Sequence, residues 1–288
     1  MTAQDLLLTS FGQRYEIYKT EHTRCKAEFS EGAVHDLRVS TRRFLAIVLL
    51  LRAVQPDQNL RKLCRLLKDQ LDSLDDLRDT QVMLAEISET LKSLPELAPF
   101  QKFLLKQEKR LLTKAQFEVG EFKSGTVSRK VESLLARLSE PAFSQDLLTQ
   151  LSGCVDDAFF KVVRRSKMVD STRSASIHRV RVAFKKFRYM LEIIYPLLPG
   201  LPDEQFKRMH GYQAGMGEIQ DVEVFLQNWD AFVARRKILA PEQVRSFYEQ
   251  RHMDLVNAYV ENMNEFVTFW RPEPDQPFPW QTREKVTM

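Results

Sequence analysis

Residues 177–194 read IHRVRVAFKKFRYMLEII, and the spacing within this stretch decides the fold class. On a helix that turns about 100° per residue, the apolar side chains Ile177, Val180 and Phe184 share one side, which is the side that packs into a core. A second side carries a polar stripe of His178, Arg181, Lys185 and Arg188, with Lys186 on its flank. The stretch is therefore predicted to form an amphipathic helix with one buried face and one cationic face.

The same pattern occurs twice along the chain. Residues 34–44, VHDLRVSTRRF, align without a gap with residues 177–187 at an offset of 143 positions. Residues 77–84, LRDTQVML, align with residues 219–226, IQDVEVFL, at an offset of 142 positions. Two blocks in the same order at nearly one offset indicate an internal duplication rather than chance.

The duplication predicts the architecture. Nine glycines and twelve prolines in 288 residues, with abundant Leu, Glu, Lys and Ala, favour helices over a sheet of many strands. We therefore predict an all-α fold of two four-helix bundles related by pseudo-twofold symmetry, covering residues 3–139 and 144–270. Residues 57–92 are predicted as one helical stretch, and the proline-rich residues 271–288 as an extended or disordered tail.

The charge of the chain is unevenly distributed. The formal net charge is only +4, but between Lys161 and Arg188 there are ten Lys and Arg residues and one acid, Asp170. Cations in register on one helix repel one another, so such a face needs an external anion or an acid from a neighbouring helix. Arginine offers a planar fork that binds phosphate oxygens in pairs, and lysine adds a mobile point charge. Because the spacing occurs twice, we favour an anion-binding face over a merely solvated one.

The candidate anion-binding residues form two rows. In the first half of the chain, the stripe equivalent to that of residues 177–194 consists of His35, Arg38 and Arg42, with Arg43 on its flank. A second row is predicted from the third helices, where Arg65 and Lys68 align with Lys207 and His210. Asp79 and Asp221 are predicted to orient the arginines across the bundle.

Other features argue against catalysis, metal binding and secretion. No nucleophile or paired carboxylate keeps a repeated spacing around His35 and His178, so we expect a binding protein without a cofactor rather than an enzyme. The three cysteines, Cys25, Cys64 and Cys154, form no CxxC motif, which indicates buried thiols in a reducing cytosol and no metal site. Neither a signal peptide nor a membrane-spanning run is evident, so we expect a cytoplasmic protein.

The pieces VHDLRVSTRR, IHRVRVAFKKFRYMLEII, LDDLRDTQVML and MGEIQDVEVFL resemble, in this order, the CHAD family, the conserved-histidine α-helical domain. The resemblance extends over residues 1–270 and implies two four-helix bundles around a basic central channel. It also implies binding of inorganic polyphosphate without turnover, possible association with polyphosphate granules, and no catalytic residues. Polyphosphate binding is thereby assigned to His35, Arg38, Arg42, Arg43, His178, Arg181, Lys185, Lys186 and Arg188.

The chain departs from the family pattern at two positions. Leu45 stands where the first motif often carries another arginine, whereas the second motif keeps Arg188. Asp75 stands where the family usually has a glycine, which Gly217 preserves in the second half. These departures predict that the first half binds more weakly than the second.

Two alternative functions remain open at this point. A helical nucleic-acid-binding protein would use the same cations, although base stacking normally requires exposed aromatic side chains among them. A metal-dependent phosphohydrolase of the HD type would use the pair His35–Asp36, but Arg179 occupies the position equivalent to Asp36, and a cation there opposes a metal.

Overall fold

The computed structural model describes residues 2–140, 146–236 and 242–283, and within these ranges it confirms the all-helical prediction. Three short 3₁₀ helices cover Pro95–Leu97, Tyr195–Leu197 and Met263–Thr268. The α-helices are α1 (Ala3–Glu28), α2 (Glu31–Val54), α3 (Gln58–Ser73), α4 (Asp75–Thr90), α5 (Ala98–Glu121), α6 (Ser124–Leu138), α7 (Leu147–Ser166), α8 (Ser174–Ile194), α9 (Asp203–Arg236), α10 (Glu242–Asn262) and α11 (Pro279–Arg283). None of the helices in the described ranges is both long and apolar enough to cross a lipid bilayer.

The two histidine-led motifs lie on α2 and α8, which pack against each other. The chain enters α2 through Phe29, whose φ of 44° ends α1, and through Ser30, whose hydroxyl accepts a hydrogen bond from the backbone N–H of Ala33. This N-cap satisfies a backbone donor that the first turn of a helix leaves free. The predicted core faces of both helices are fully buried: Val34, Leu37, Phe44, Ile177, Val180 and Phe184.

Two apolar clusters form the core. The larger one includes side chains of α1, α2, α7 and α8, such as Phe11, Phe44, Phe159 and Phe184. The smaller one joins α4, α5, α9 and α10 through side chains such as Phe100. Each cluster therefore draws on both halves of the sequence, and apolar burial of this kind supplies most of the driving force for folding. The division into two repeated bundles, residues 3–139 and 144–270, stays a prediction.

The third helical stretch differs between the two halves. Residues 57–92, predicted as one stretch, break at Leu74 into α3 and α4, whereas α9 runs without interruption from Asp203 to Arg236. The Asp57 carboxylate caps α3 by accepting the backbone N–H groups of Asn59 and Leu60. Asp75 becomes the first residue of α4, at the end where a helix favours negative charge.

The C-terminal segment, predicted as an extended or disordered tail, has no regular secondary structure over residues 271–278 but contacts the core through aromatic side chains. Residues 272–277 are exposed, and the segment meets the core at Phe278 and Trp280, whose rings stack with centroids 4.6 Å apart. Trp280 is only 8% exposed and lies 6.0 Å from the ring of Trp270. Arg271 adds an ion pair with the buried Asp156 at 2.6 Å. Burial of these aromatic rings attaches the segment to the core; residues 284–288 lie outside the described ranges.

Candidate functional site: a cation-lined cavity

A cavity of about 460 Å³ lies where α2, α4, α8 and α9 meet. The cationic faces of α2 and α8 turn toward it from two sides, and α4 and α9 supply its remaining walls. We call it the central cavity. Its lining includes six of the predicted residues, namely His35, Arg38, Arg42, His178, Arg181 and Lys185. The two faces that the repeat predicts are thus brought to one place.

Arg181 is a cation of the cavity for which the described residues supply no ion pair. Its Nε is buried and has no hydrogen-bond partner in the described part of the chain. The guanidinium lies over Gly217 of α9, so closely that a Cβ atom at that position would be 3.3 Å from Nη2. Glycine therefore leaves the space that the guanidinium occupies; Asp221, one turn further along α9, is close enough for the charge of Arg181 to act on its pKa but makes no hydrogen bond or ion pair with it in the described residues. A buried charged donor without a partner is costly unless a ligand satisfies it.

Lys185 lies in a part of the cavity where burial and neighbouring positive charges lower its pKa. Burial, and after it the nearby charges of Arg42 and Arg181, lower the pKa of Lys185 to about 7. The pKa of Arg42 is also lowered, first by burial and then by the charge of Arg38. Both shifts mean that the empty cavity disfavours the positive charges it holds. An anion in the cavity would relieve this repulsion.

Arg38 occupies the position equivalent to Arg181 but is already paired. It is 3% exposed, and its Nη2 donates to Asp75 Oδ1 at 2.6 Å while its Nη1 donates to the carbonyl oxygen of Leu71 at 3.1 Å. Asp75 aligns with Gly217, so the exchange of a glycine for an aspartate gives Arg38 an internal counter-ion that Arg181 lacks. The two cationic faces of the cavity are therefore unequal.

Carboxylates line the α4 and α9 walls of the cavity. The pKa of Asp79 is raised, first by burial and then by the charge of Asp75, and burial likewise raises the pKa of Asp221. Within the described ranges neither Asp79 nor Asp221 makes a hydrogen bond or ion pair with an arginine. The charge of Arg38 nevertheless acts to lower the pKa of Asp79 and the charge of Arg181 acts to lower that of Asp221, so the prediction that these carboxylates orient the arginines stays a prediction. Asp75 performs this role for Arg38.

Comparison with known proteins agrees with this geometry. The family model described as the CHAD domain matches residues 18–229, which include both histidine-led helices. The chain belongs to the CHAD domain family. The fold is similar to that in a solved structure titled the crystal structure of the CHAD domain from the plant Ricinus communis, with a TM-score of 0.64 at 17% identity, covering 93% of this chain and 90% of that one. A search of the curated proteins found no match.

Arg188 lies outside the central cavity of this CHAD domain. Its side chain is buried, with Nη1 3.0 Å from Nδ1 of His210 and Nε 3.2 Å from the Glu192 carboxylate. On a helical projection Arg188 falls about 20° from the apolar residue Ile177, which explains why it turns away from the cavity. Retention of Arg188 therefore does not by itself make the second half stronger, although its charge still contributes to lowering the pKa of Lys185.

The other predicted residues also lie elsewhere. Lys186 belongs to a separate group of cations: its pKa is lowered by burial and then by the charges of Lys161, Arg52 and Lys68. Residues one position apart point about 100° away from each other on a helix, so Lys186 faces a different side of α8 from Lys185 and does not line the central cavity. Three further predicted cations, namely Arg43, Arg65 and Lys207, are exposed, and Lys207 pairs with Glu204 at 2.9 Å.

The sequence reasoning missed several wall residues. Arg78 of α4 lines the cavity and lies within the repeated block LRDTQVML, so its position beside Asp79 was a usable signal. The apolar part of the lining, which includes Val39, Val182 and Val224, gave no signal because isolated valines on a helix look like ordinary core residues. Val182 is 48% exposed, so the cavity is partly apolar between its charges.

Proposed function

We propose that this CHAD domain binds inorganic polyphosphate in the central cavity without turning it over. The observation that carries the proposal is Arg181, a guanidinium held over Gly217 with a buried Nε that has no partner in the described residues. Lys185 and Arg42 add two cations whose pKa values are lowered by burial and mutual repulsion. A chain of phosphates offers repeated oxygen pairs that match these groups, and binding releases its counterions.

The cavity favours phosphate over a ligand that is recognised through its bases. The aromatic residues next to the cationic stripe, Phe184 and Phe187, are both 0% exposed, so they cannot act as stacking platforms. Single-stranded nucleic acids are usually bound by such platforms combined with a cationic groove. Tyr189 is half-buried near Arg42, but the described lining of the central cavity contains no Phe, Tyr or Trp. Such a lining suits a ligand that consists of phosphate alone.

Titration calorimetry with polyphosphate tests the proposal. We expect Arg181→Gln/Lys185→Gln to weaken binding about 100-fold, since charge-assisted hydrogen bonds contribute about 1.5–3 kcal/mol each. The plot of log affinity against log salt should become shallower by about 1.4 units for the two lost contacts. The matched control is Arg164→Gln/Lys167→Gln, which removes the same charge from exposed positions at the end of α7. Equal losses in both variants would show that binding depends on net charge and not on the central cavity.

Polyphosphate binding would also place the protein at polyphosphate granules in the cytoplasm, and we propose this location as its consequence. A fluorescent fusion should concentrate on granules, and the Arg181→Gln/Lys185→Gln fusion should spread through the cytoplasm. Equal granule recruitment of both fusions would contradict this part of the proposal.

A further inference from the structure

A second recess with cationic walls lies between α5 and the C-terminal part of α9. It has a volume of about 670 Å³, and we call it the α5–α9 groove. Its walls carry Lys106 and Arg110 from α5 and Arg235 and Arg236 from α9. No carboxylate is among the described residues that line it. None of its four cations belongs to the set predicted from the sequence.

The four cations of the α5–α9 groove have exposed side chains. Within residues 2–140, 146–236 and 242–283, none of them forms an ion pair. Asp230, an acid on the same part of α9, is engaged by Arg245 at 2.6 Å instead. Four like charges around one recess repel one another, and an anionic ligand relieves that repulsion.

The floor of the groove suits a ligand without bases. Phe232 is 3% exposed and is covered on one side by the guanidinium of Arg236, 5.9 Å from its ring centroid. Phe103 is half-buried, and its ring packs on Phe232 with centroids 5.2 Å apart. Because these rings pack against each other and under Arg236, they offer little surface on which a base could stack. The arginines of the groove can instead bind phosphate oxygens.

One face of α9 joins the groove to the central cavity. Gln220 and Val224 line the central cavity, whereas Asn228 and Arg235 line the α5–α9 groove. On a helical projection these four residues fall within an arc of about 80°. Val224 and Asn228 are separated by one helical turn, about 6 Å, and Val224 and Arg235 by about 17 Å along the axis. A chain that leaves the central cavity along α9 therefore reaches the groove after a short distance.

We propose that the α5–α9 groove is a second polyphosphate site, occupied by the part of a long chain that extends beyond the central cavity. The inference rests on the proposed function, because the central cavity must hold the first part of the same chain. Two sites on one ligand make the second binding event intramolecular, so affinity rises steeply once the chain spans both. Short chains occupy the central cavity alone. The groove thus makes the domain selective for chain length.

Titrations with two probes, tripolyphosphate and a long-chain polyphosphate, test this inference. Lys106→Gln/Arg110→Gln should weaken binding of the long chain at least tenfold, since linked sites commonly raise affinity by factors of about 10²–10⁴. It should make the salt dependence of long-chain binding shallower by about 1.4 units. Its affinity for tripolyphosphate should equal that of the parent. The matched control is Lys102→Gln/Lys109→Gln, which removes the same charge from exposed α5 residues outside the groove lining.

Three results would overturn the inference. The first is unchanged long-chain affinity in Lys106→Gln/Arg110→Gln while the parent binds both probes, which leaves the proposed function intact. The second is an equal loss in the Lys102→Gln/Lys109→Gln control, which assigns the effect to the general field of α5. The third is displacement of the long chain by an oligouridylate at equal phosphate concentration, which makes the groove a nucleic-acid site. A parent that binds neither probe refutes the proposed function and this inference together.

Discussion

At the scale of single residues, the difference between Asp75 and Gly217 makes the two cationic faces of the central cavity unequal. Arg38 and Arg181 have the same place in the repeated motif, but Arg38 faces Asp75 and Arg181 faces Gly217. The side chain of Arg38 is 4% exposed and that of Asp75 is 50% exposed, so solvent reaches the carboxylate side of this ion pair and partly screens it. The internal carboxylate competes with any external anion for Arg38. In the proposed function, Arg181 is therefore expected to bind an external anion more readily than Arg38.

Substitutions at Asp75 and Gly217 should change how strongly Arg38 and Arg181 bind polyphosphate. Asp75→Asn is expected to raise polyphosphate affinity about tenfold, because it frees Arg38, and to lower the stability of the ligand-free protein. Gly217→Asp is expected to lower affinity by about the same factor, since a charged hydrogen bond of about 1.5–3 kcal/mol then holds Arg181. Calorimetry and thermal melts measure both effects. A loss of affinity in Asp75→Asn with an intact fold would show that the pair organises the site instead of competing with the ligand.

Lys185 should make binding depend on pH. Its pKa in the free protein is about 7, and a bound anion raises it, so binding takes up a proton above that pH. We expect affinity to be highest below about pH 7 and to fall as the pH rises to about 9. Lys185→Arg keeps the charge throughout this range and should flatten the profile. The groups around Lys185 are the same in both proteins: Arg38, Arg42, Arg181, Arg188, His35, His178, Asp75, Asp79 and Asp221. Parallel profiles for the parent and Lys185→Arg would exclude Lys185 as the titrating group.

The same pKa shift affects the stability of the ligand-free protein. It should make stability rise with pH, whereas polyphosphate affinity is expected to fall with pH. Because folding lowers the pKa of Lys185, the unfolded chain binds more protons than the folded protein between about pH 7 and the ordinary lysine value. The contribution of Lys185 to the free energy of unfolding should therefore rise with pH across this window in the ligand-free protein. The measurement is denaturant unfolding of the parent and Lys185→Met at pH 7 and pH 9. A difference between the two proteins that is constant with pH would contradict the shift.

At the scale of helices, the sequence predicts the buried faces, which depend on the periodicity of apolar residues. It predicts few of the contacts between helices, which depend on how the helices pack. The buried faces of α2 and α8 follow from the spacing of their apolar residues, and the structure confirms them. Arg188 was misplaced because a stripe about 80° wide borders the apolar face, and only packing against His210 and Glu192 decides on which side it falls. The break at Leu74 and the exact partner of Arg38 depend likewise on contacts between helices, which periodicity does not record.

The C-terminal segment is a second example. Its prolines indicate an extended chain, but they do not indicate whether its aromatic residues find a hydrophobic surface. We expect Trp280→Ala to lower the free energy of unfolding by about 3 kcal/mol, the usual range for removing a large buried ring. Polyphosphate affinity should not change, since Trp280 lines neither the central cavity nor the α5–α9 groove. Denaturant unfolding and calorimetry measure the two quantities, and a change in unfolding below about 0.5 kcal/mol would mean that the segment is only loosely attached.

At the scale of the whole molecule, both the core and the site combine the two halves of the chain. Each apolar cluster contains side chains from before and after residues 141–145, and the central cavity takes its walls from α2 and α4 and from α8 and α9. The net charge is only +4, although two recesses are lined by cations, because acidic residues elsewhere in the chain offset the positive charges. Composition therefore predicts the fold class but not the local electrostatic potential in the two recesses.

Separating the halves should abolish both folding and binding. Residues 1–140 and 146–288, expressed individually, leave large parts of the two clusters in water, and neither is expected to melt cooperatively or to bind polyphosphate. Co-expression of the two pieces should restore a cooperative melt and binding. Differential scanning calorimetry and titration test this. Either piece folding and binding alone with the affinity of the parent would support independent bundles instead.

The most direct test of the central claim is a crystal structure of the protein with polyphosphate bound. We predict a chain of phosphates in the central cavity between α2 and α8, with oxygens at hydrogen-bond distance from the Arg181 guanidinium and the Lys185 ammonium, and with Arg38 still paired to Asp75. Phosphates bound only at other surfaces, with solvent in the central cavity, would contradict the account.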